Sequence, residues 1–109
     1  VSRITPIIAA AIALVTIAAP AFAQLPPAHY NCYYFGRPLP LMNFTITGPG
    51  QYTDAKGAPG TYSANGSGQF VFSGGNFDGQ TAVFRLGNPP TIAFMGTGGR
   101  ETESCQPAR

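Results

Sequence analysis

Gln69-Phe70-Val71-Phe72-Ser73-Gly74-Gly75-Asn76-Phe77-Asp78-Gly79-Gln80-Thr81-Ala82-Val83-Phe84-Arg85-Leu86 is the stretch on which the fold turns. Phe70 and Phe72 alternate with Gln69, Val71 and Ser73, while Ala82, Phe84 and Leu86 alternate with Thr81, Val83 and Arg85. A period of two sends successive side chains to opposite faces, so each run reads as a half-buried strand. Between them, Gly74-Gly75-Asn76-Phe77-Asp78-Gly79 is hairpin-loop chemistry: glycine accepts positive φ, and aspartate hydrogen-bonds nearby backbone.

The same alternation recurs outward from this hairpin. Met42, Phe44 and Ile46 alternate with Asn43, Thr45 and Thr47 on one side, and Ile92 and Phe94 repeat the pattern on the other. Turn signals separate the runs: Gly48-Pro49-Gly50, Asp54-Ala55-Lys56-Gly57, Asn65-Gly66, Gly87-Asn88-Pro89-Pro90 and Gly96-Thr97-Gly98-Gly99. Strand centres near 44, 62, 71, 83 and 93 lie, after the longer first gap, about ten residues apart, the spacing of an up-and-down antiparallel sheet. With 14 Gly and 11 Pro there is little room for a helix. The expected fold is all-β, a small antiparallel barrel or sandwich of six to seven short strands. They are placed at about 30–36, 41–47, 60–64, 69–73, 81–86, 91–95 and 102–106. Phe44, Phe70, Phe72, Phe84 and Phe94 are expected to form the core, and Asn43, which opens an Asn-x-Thr sequon, to be a polar outer-face strand residue.

Residues 1–23 read as a secretory signal peptide. Arg3 gives the positive start, the run from Ile7 to Ala19 is uncharged, and Pro20 precedes the small-x-small site Ala21-Phe22-Ala23. Its Ala-rich composition fits a bacterial leader and a periplasmic or secreted protein. Residues 24–29 (Gln-Leu-Pro-Pro-Ala-His) are expected as an extended Pro-rich arm, and 30–109 as a single β domain with no membrane span after leader removal. A domain this small buries little surface and benefits from a covalent staple. Cys32 and Cys105 are the only cysteines; in an oxidising compartment they are expected to form a disulfide joining the first and last strands.

The residues that commonly carry chemistry are sparse. From residue 24 onward the cations Arg37, Lys56, Arg85, Arg100 and Arg109 are scattered singly, which argues against a nucleic-acid partner. His29 is the only histidine and both sulfurs are committed, so neither a nucleophile–base pair nor a metal site is indicated, and no cofactor is expected. Asp54 and Asp78 sit in Gly-containing turns, where backbone hydrogen bonding is their ordinary role. Glu101 and Glu103 share a strand face and are placed to pair with Arg85 or Arg100.

The remaining concentration is Tyr30-Asn31-Cys32-Tyr33-Tyr34-Phe35, followed by Arg37. In a strand, Tyr30, Cys32 and Tyr34 share one face and Asn31, Tyr33 and Phe35 the other, so aromatic area lies on both. Tyr33, Tyr34, Phe35 and Arg37 form the candidate binding platform. The corresponding functional expectation is a non-enzymatic exported domain binding an envelope or extracellular protein or glycan. The alternative is an inhibitor of an exported protease, presenting the 24–29 arm or the 87–90 loop as an insert.

Overall fold

The computed structural model describes residues 24–109, and the leader expected at 1–23 lies outside them. The described residues form nine strands: β1 (Ala28–Tyr34), β2 (Arg37–Pro38), β3 (Phe44–Gly48), β4 (Gln51–Asp54), β5 (Pro59–Ala64), β6 (Gln69–Ser73), β7 (Thr81–Arg85), β8 (Thr91–Met95) and β9 (Glu101–Pro107). Neighbours from β3 to β9 pair in sequence order, β1 pairs β3, and β9 returns to pair β1, all antiparallel. The result is a closed up-and-down barrel of eight strands with β2 as a short addition, so the barrel alternative holds and the sandwich does not.

The strand count exceeds the expected six to seven for two local reasons. Gln51–Asp54 is only four residues long, lies between two turn signals and buries a single side chain, Tyr52. The other extra strand arises because the expected 30–36 and 41–47 runs are cut differently. Phe35-Gly36 is a turn, so β1 ends at Tyr34, and Pro40–Met42 forms a 3-10 turn before β3 starts at Phe44. Prolines at 38 and 40 have no N–H to give to the ladder.

Asn43 mends that break. Its Oδ1 accepts the Cys32 N–H at 2.9 Å and its Nδ2 donates to Asn31 Oδ1 at 3.1 Å, while the Leu39 N–H donates to the Cys32 carbonyl at 2.8 Å. It is thus a substitute rung at the end of the 3-10 turn, not the plain outer-face strand residue expected.

An eight-stranded barrel is just wide enough for its own side chains to fill, and here they are mostly aromatic. Tyr30, Phe44, Tyr52, Tyr62, Phe70, Phe72, Phe77 and Phe94 are all buried. Phe44 lies at the hub, stacked on Tyr30 at 5.3 Å and edge-on to Tyr52, Phe72, Phe77 and Phe94. Edge-to-face and offset pairs match the ring quadrupoles as well as burying area. Of the expected core, Phe84 is only partly buried; Leu86, expected as the end of the 81–86 strand, lies past the end of β7 and is 87% exposed.

Each end of the barrel is closed by a plug that an interior tyrosine holds. At the lower end, where β1 begins, Leu25 is buried; its N–H donates to Tyr62 Oη at 2.9 Å, and Tyr30 Oη donates to the Pro26 carbonyl at 2.8 Å. The 24–29 segment is therefore docked, and its last two residues belong to β1. At the upper end, the 3-10 turn Gly75–Phe77 drops Phe77 into the mouth, stacked on Phe94 at 4.1 Å. Tyr52 Oη donates to the Gly74 carbonyl and accepts the Phe77 N–H at 3.1 Å. Gly60 makes this possible, because a Cβ there would collide with the Tyr52 ring.

Burial makes the interior phenols reluctant to ionise. The Tyr30 hydroxyl is pushed up to about 12, first by loss of water and then by the nearby Tyr62. Tyr52 is raised chiefly by burial, with the Phe77 N–H acting in the opposite sense and Asp54 and Asp78 adding to the rise.

Cys32 and Cys105 face each other across the β1–β9 seam with Cα atoms 4.0 Å apart, and they are joined. The disulfide therefore links the first and last strands as expected, at the one pairing that closes the barrel.

Candidate functional site

The interior is filled by side chains, and the outer surface is uneven. Among the described residues four large hydrophobic side chains are exposed: Tyr34 (43%), Phe35 (87%), Leu41 (75%) and Leu86 (87%). Three of them fall within residues 34–41, on the corner built by β1, β2 and the 3-10 turn; Leu86 lies at the opposite end of the barrel.

The local sequence explains how this corner forms. The β1–β9 ladder stops at Tyr33↔Ser104, and beyond it β1 pairs only with the two residues of β2. Tyr34 thus leaves the wall, which is why it does not share the buried environment of Tyr30 and Cys32. A two-residue turn follows, with φ of +49° at Phe35 and +78° at Gly36. Two positive φ values are what a tight hairpin of this hand requires, and Asn-Gly is the favoured pair. Gly36 meets that requirement, with open space where a Cβ would be. Phe35 does not: a bulky residue in the left-handed region costs about 1–2 kcal/mol. Its ring packs on that of Tyr34, with centroids 4.6 Å apart.

The structure thus brings the sequence-derived platform to one corner and separates its parts. Tyr34 and Phe35 are the tip, Arg37 is exposed at the start of β2, and Tyr33 is half-buried on the outer wall below. Tyr33 lines a shallow cleft of about 210 Å³ with Asn31, Pro38, Leu39, Pro40 and Asn43. Sequence reasoning missed Leu41, which the 3-10 turn displays; the prolines at 38 and 40 just before it were the available signal.

Elsewhere several polar side chains are engaged structurally. Asp54 Oδ1 accepts the Lys56 and Ala58 N–H groups, each at 2.9 Å, and Asp78 Oδ1 accepts that of Gly74 at 2.7 Å. Asn65 Oδ1 accepts the Ser67 N–H at 2.9 Å inside its hairpin. His29 Nδ1 lies 2.9 Å from Thr45 Oγ1 on the exposed wall, and Arg85 pairs with Glu101. Among the described residues no three His, Cys, Asp or Glu side chains gather as metal ligands, and no helix there is long and apolar enough to cross a membrane. Comparison with protein-family models, curated proteins and solved structures finds no match.

Proposed function

We propose that the chain is a small exported, non-enzymatic β-barrel that binds an envelope or extracellular component through the β1–β2 corner, with Tyr33, Tyr34, Phe35 and Arg37 as contact residues. The observation that carries this reading is Phe35, an aromatic ring 87% exposed on backbone with φ +49°. Both features cost the isolated molecule something, one in backbone strain and the other in exposed apolar area, and neither supports the barrel. Strain held at a surface tip is a signature of a working site. The leader expected at 1–23 supports export, and the disulfide fits an oxidising compartment.

The inhibitor reading draws less support. With Leu25 buried and bonded to Tyr62, the 24–29 segment is anchored, which leaves only the 87–90 loop as an insert.

Phe35→Asn tests the reading, because asparagine tolerates positive φ. The variant should be more stable than the parent by about 0.5–1 kcal/mol in chemical denaturation, yet should no longer co-sediment with an envelope fraction that retains the parent. Retention of the variant at parental level would remove the corner from the function.

A further inference from the structure

We infer that the exported chain begins at Gln24 and that this residue closes on itself to a pyroglutamyl ring, so that the lower plug is capped by a neutral lactam. This rests on the export reading and goes beyond it, to a covalent modification site at the other end of the barrel from the β1–β2 corner.

The lower plug sets where the terminus can lie. Leu25 is 2% exposed, its N–H donates to Tyr62 Oη at 2.9 Å, and Tyr30 Oη donates to the Pro26 carbonyl at 2.8 Å. The Leu25 nitrogen is an amide only while another residue precedes it. A chain starting at Leu25 would place an ammonium in the barrel mouth, and among the described residues no charged side chain is buried that could pair with it. A charge stripped of water and left unpaired is costly. Gln24, by contrast, is exposed. One residue ahead of Leu25 is therefore the least the plug requires, and the small-x-small site Ala21-Phe22-Ala23 leaves that one residue. The boundary expected from the leader and the boundary required by the barrel fall at the same bond.

The identity of residue 24 decides the chemistry. Once freed from Ala23, Gln24 carries an α-amine and a side-chain carboxamide on one residue. The amine nitrogen attacks the side-chain carbon Cδ and a new N–Cδ bond forms. The Cδ–Nε2 bond breaks, and ammonia leaves with the proton that the amine gives up. No oxidant, reductant or metal takes part.

The plug leaves room for this step. Its hydrogen bond to Tyr62 holds the Gln24–Leu25 peptide, whereas the α-nitrogen and carboxamide belong to an exposed residue and are free to turn toward each other. The carbonyl shared with Leu25 stays out of the reaction, so the bond to Tyr62 survives closure. The lactam removes a charge one residue away from buried Leu25, and with it the α-amine by which exopeptidases grip a chain end.

Intact-mass measurement, after reduction of the disulfide, of the chain recovered from a host that exports the full sequence reads start and ring together. The expected species spans residues 24–109 and is lighter by one ammonia than the same residues with an open Gln24; fragmentation of the N-terminal peptide should localise the loss to residue 24. Gln24→Ala, cut at the same bond, should show no such loss and should unfold at the parental denaturant midpoint. Deletion of Gln24, which puts the terminus at Leu25, should lower that midpoint.

A chain that starts at Gln24 and keeps its ammonia overturns the ring and leaves export standing. A chain that retains residues 1–23, or starts at another bond, overturns the inference through the leader instead. An unchanged midpoint on deletion of Gln24 overturns the requirement for an amide at Leu25. None of these results touches the β1–β2 corner, which the envelope co-sedimentation of Phe35→Asn tests separately.

Discussion

Phe77 and Phe35 sit in connections at the same end of one barrel, each near positive-φ glycine, and their environments are opposite. Phe77 is fully buried, stacked on Phe94 and fixed through its own N–H to Tyr52, whereas Phe35 is 87% exposed and touches one neighbouring ring. What separates them is the length of chain available to fold inward. The β6–β7 connection has seven residues and includes a 3-10 turn that carries its ring across the mouth; the β1–β2 connection has two and can only turn back. A residue of one type is thus core in one loop and exposed surface in the other.

The same substitution applied to both sites gives the widest contrast. Phe77→Ala removes a ring from the packed mouth and should cost about 3–5 kcal/mol in denaturant unfolding. Phe35→Ala should change stability by no more than about 0.5 kcal/mol, as expected of a surface position. Similar losses at both would erase the distinction between plug and tip.

Tyr52→Phe probes the upper plug more gently. It deletes the hydroxyl that accepts the buried Phe77 N–H, and leaving that donor unpaired should cost about 1–3 kcal/mol. Hydrogen exchange at the Phe77 amide should accelerate more than exchange in the β1–β9 seam. If exchange rises evenly across the barrel, the plug and the wall open as one unit.

The smallest contrast comes from pH and sets the lower plug against the solvent-facing tip. The Tyr30 phenol, bonded to Pro26, sits at about 12 in the folded chain against the ordinary 10.0, so the unfolded chain releases this proton first. The associated stability is fully present below about pH 10 and is lost as pH rises toward 12, amounting to about 1–2 kcal/mol once solvent screening is allowed for. Denaturation midpoints across that window should fall for the parent and fall less for Tyr30→Phe. A parallel decline in both would show that another group governs the alkaline limb.

Much of the barrel was legible because period-two alternation survives in strands wetted on one face only. Phe44, Ile46, Phe70, Phe72, Ala82, Ile92 and Phe94 are all buried as that parity requires. The plugs were not legible for the same reason. Leu25 and Phe77 are buried by segments outside any strand, where alternation carries no information, and Phe77 reads locally as one residue of a Gly-rich loop. Tyr52 lies in a strand too short to show a period. The candidate platform was recognisable as an aromatic concentration, but the positive φ of Phe35 was not; it depends on where β1 leaves β9, a long-range pairing no local window contains.

The β1–β9 seam has a temporal consequence. Its partners include Cys32 and Cys105, separated by 73 positions, and β9 runs to Pro107. A chain delivered N-terminus first, whether from a ribosome or through a narrow channel, cannot complete this barrel until that strand has emerged. Until then β1 lacks the neighbour that closes the wall, and Cys32 lacks its thiol partner. Closure is therefore coupled to arrival of the ninth strand, and the topology itself keeps the molecule open while it is in transit.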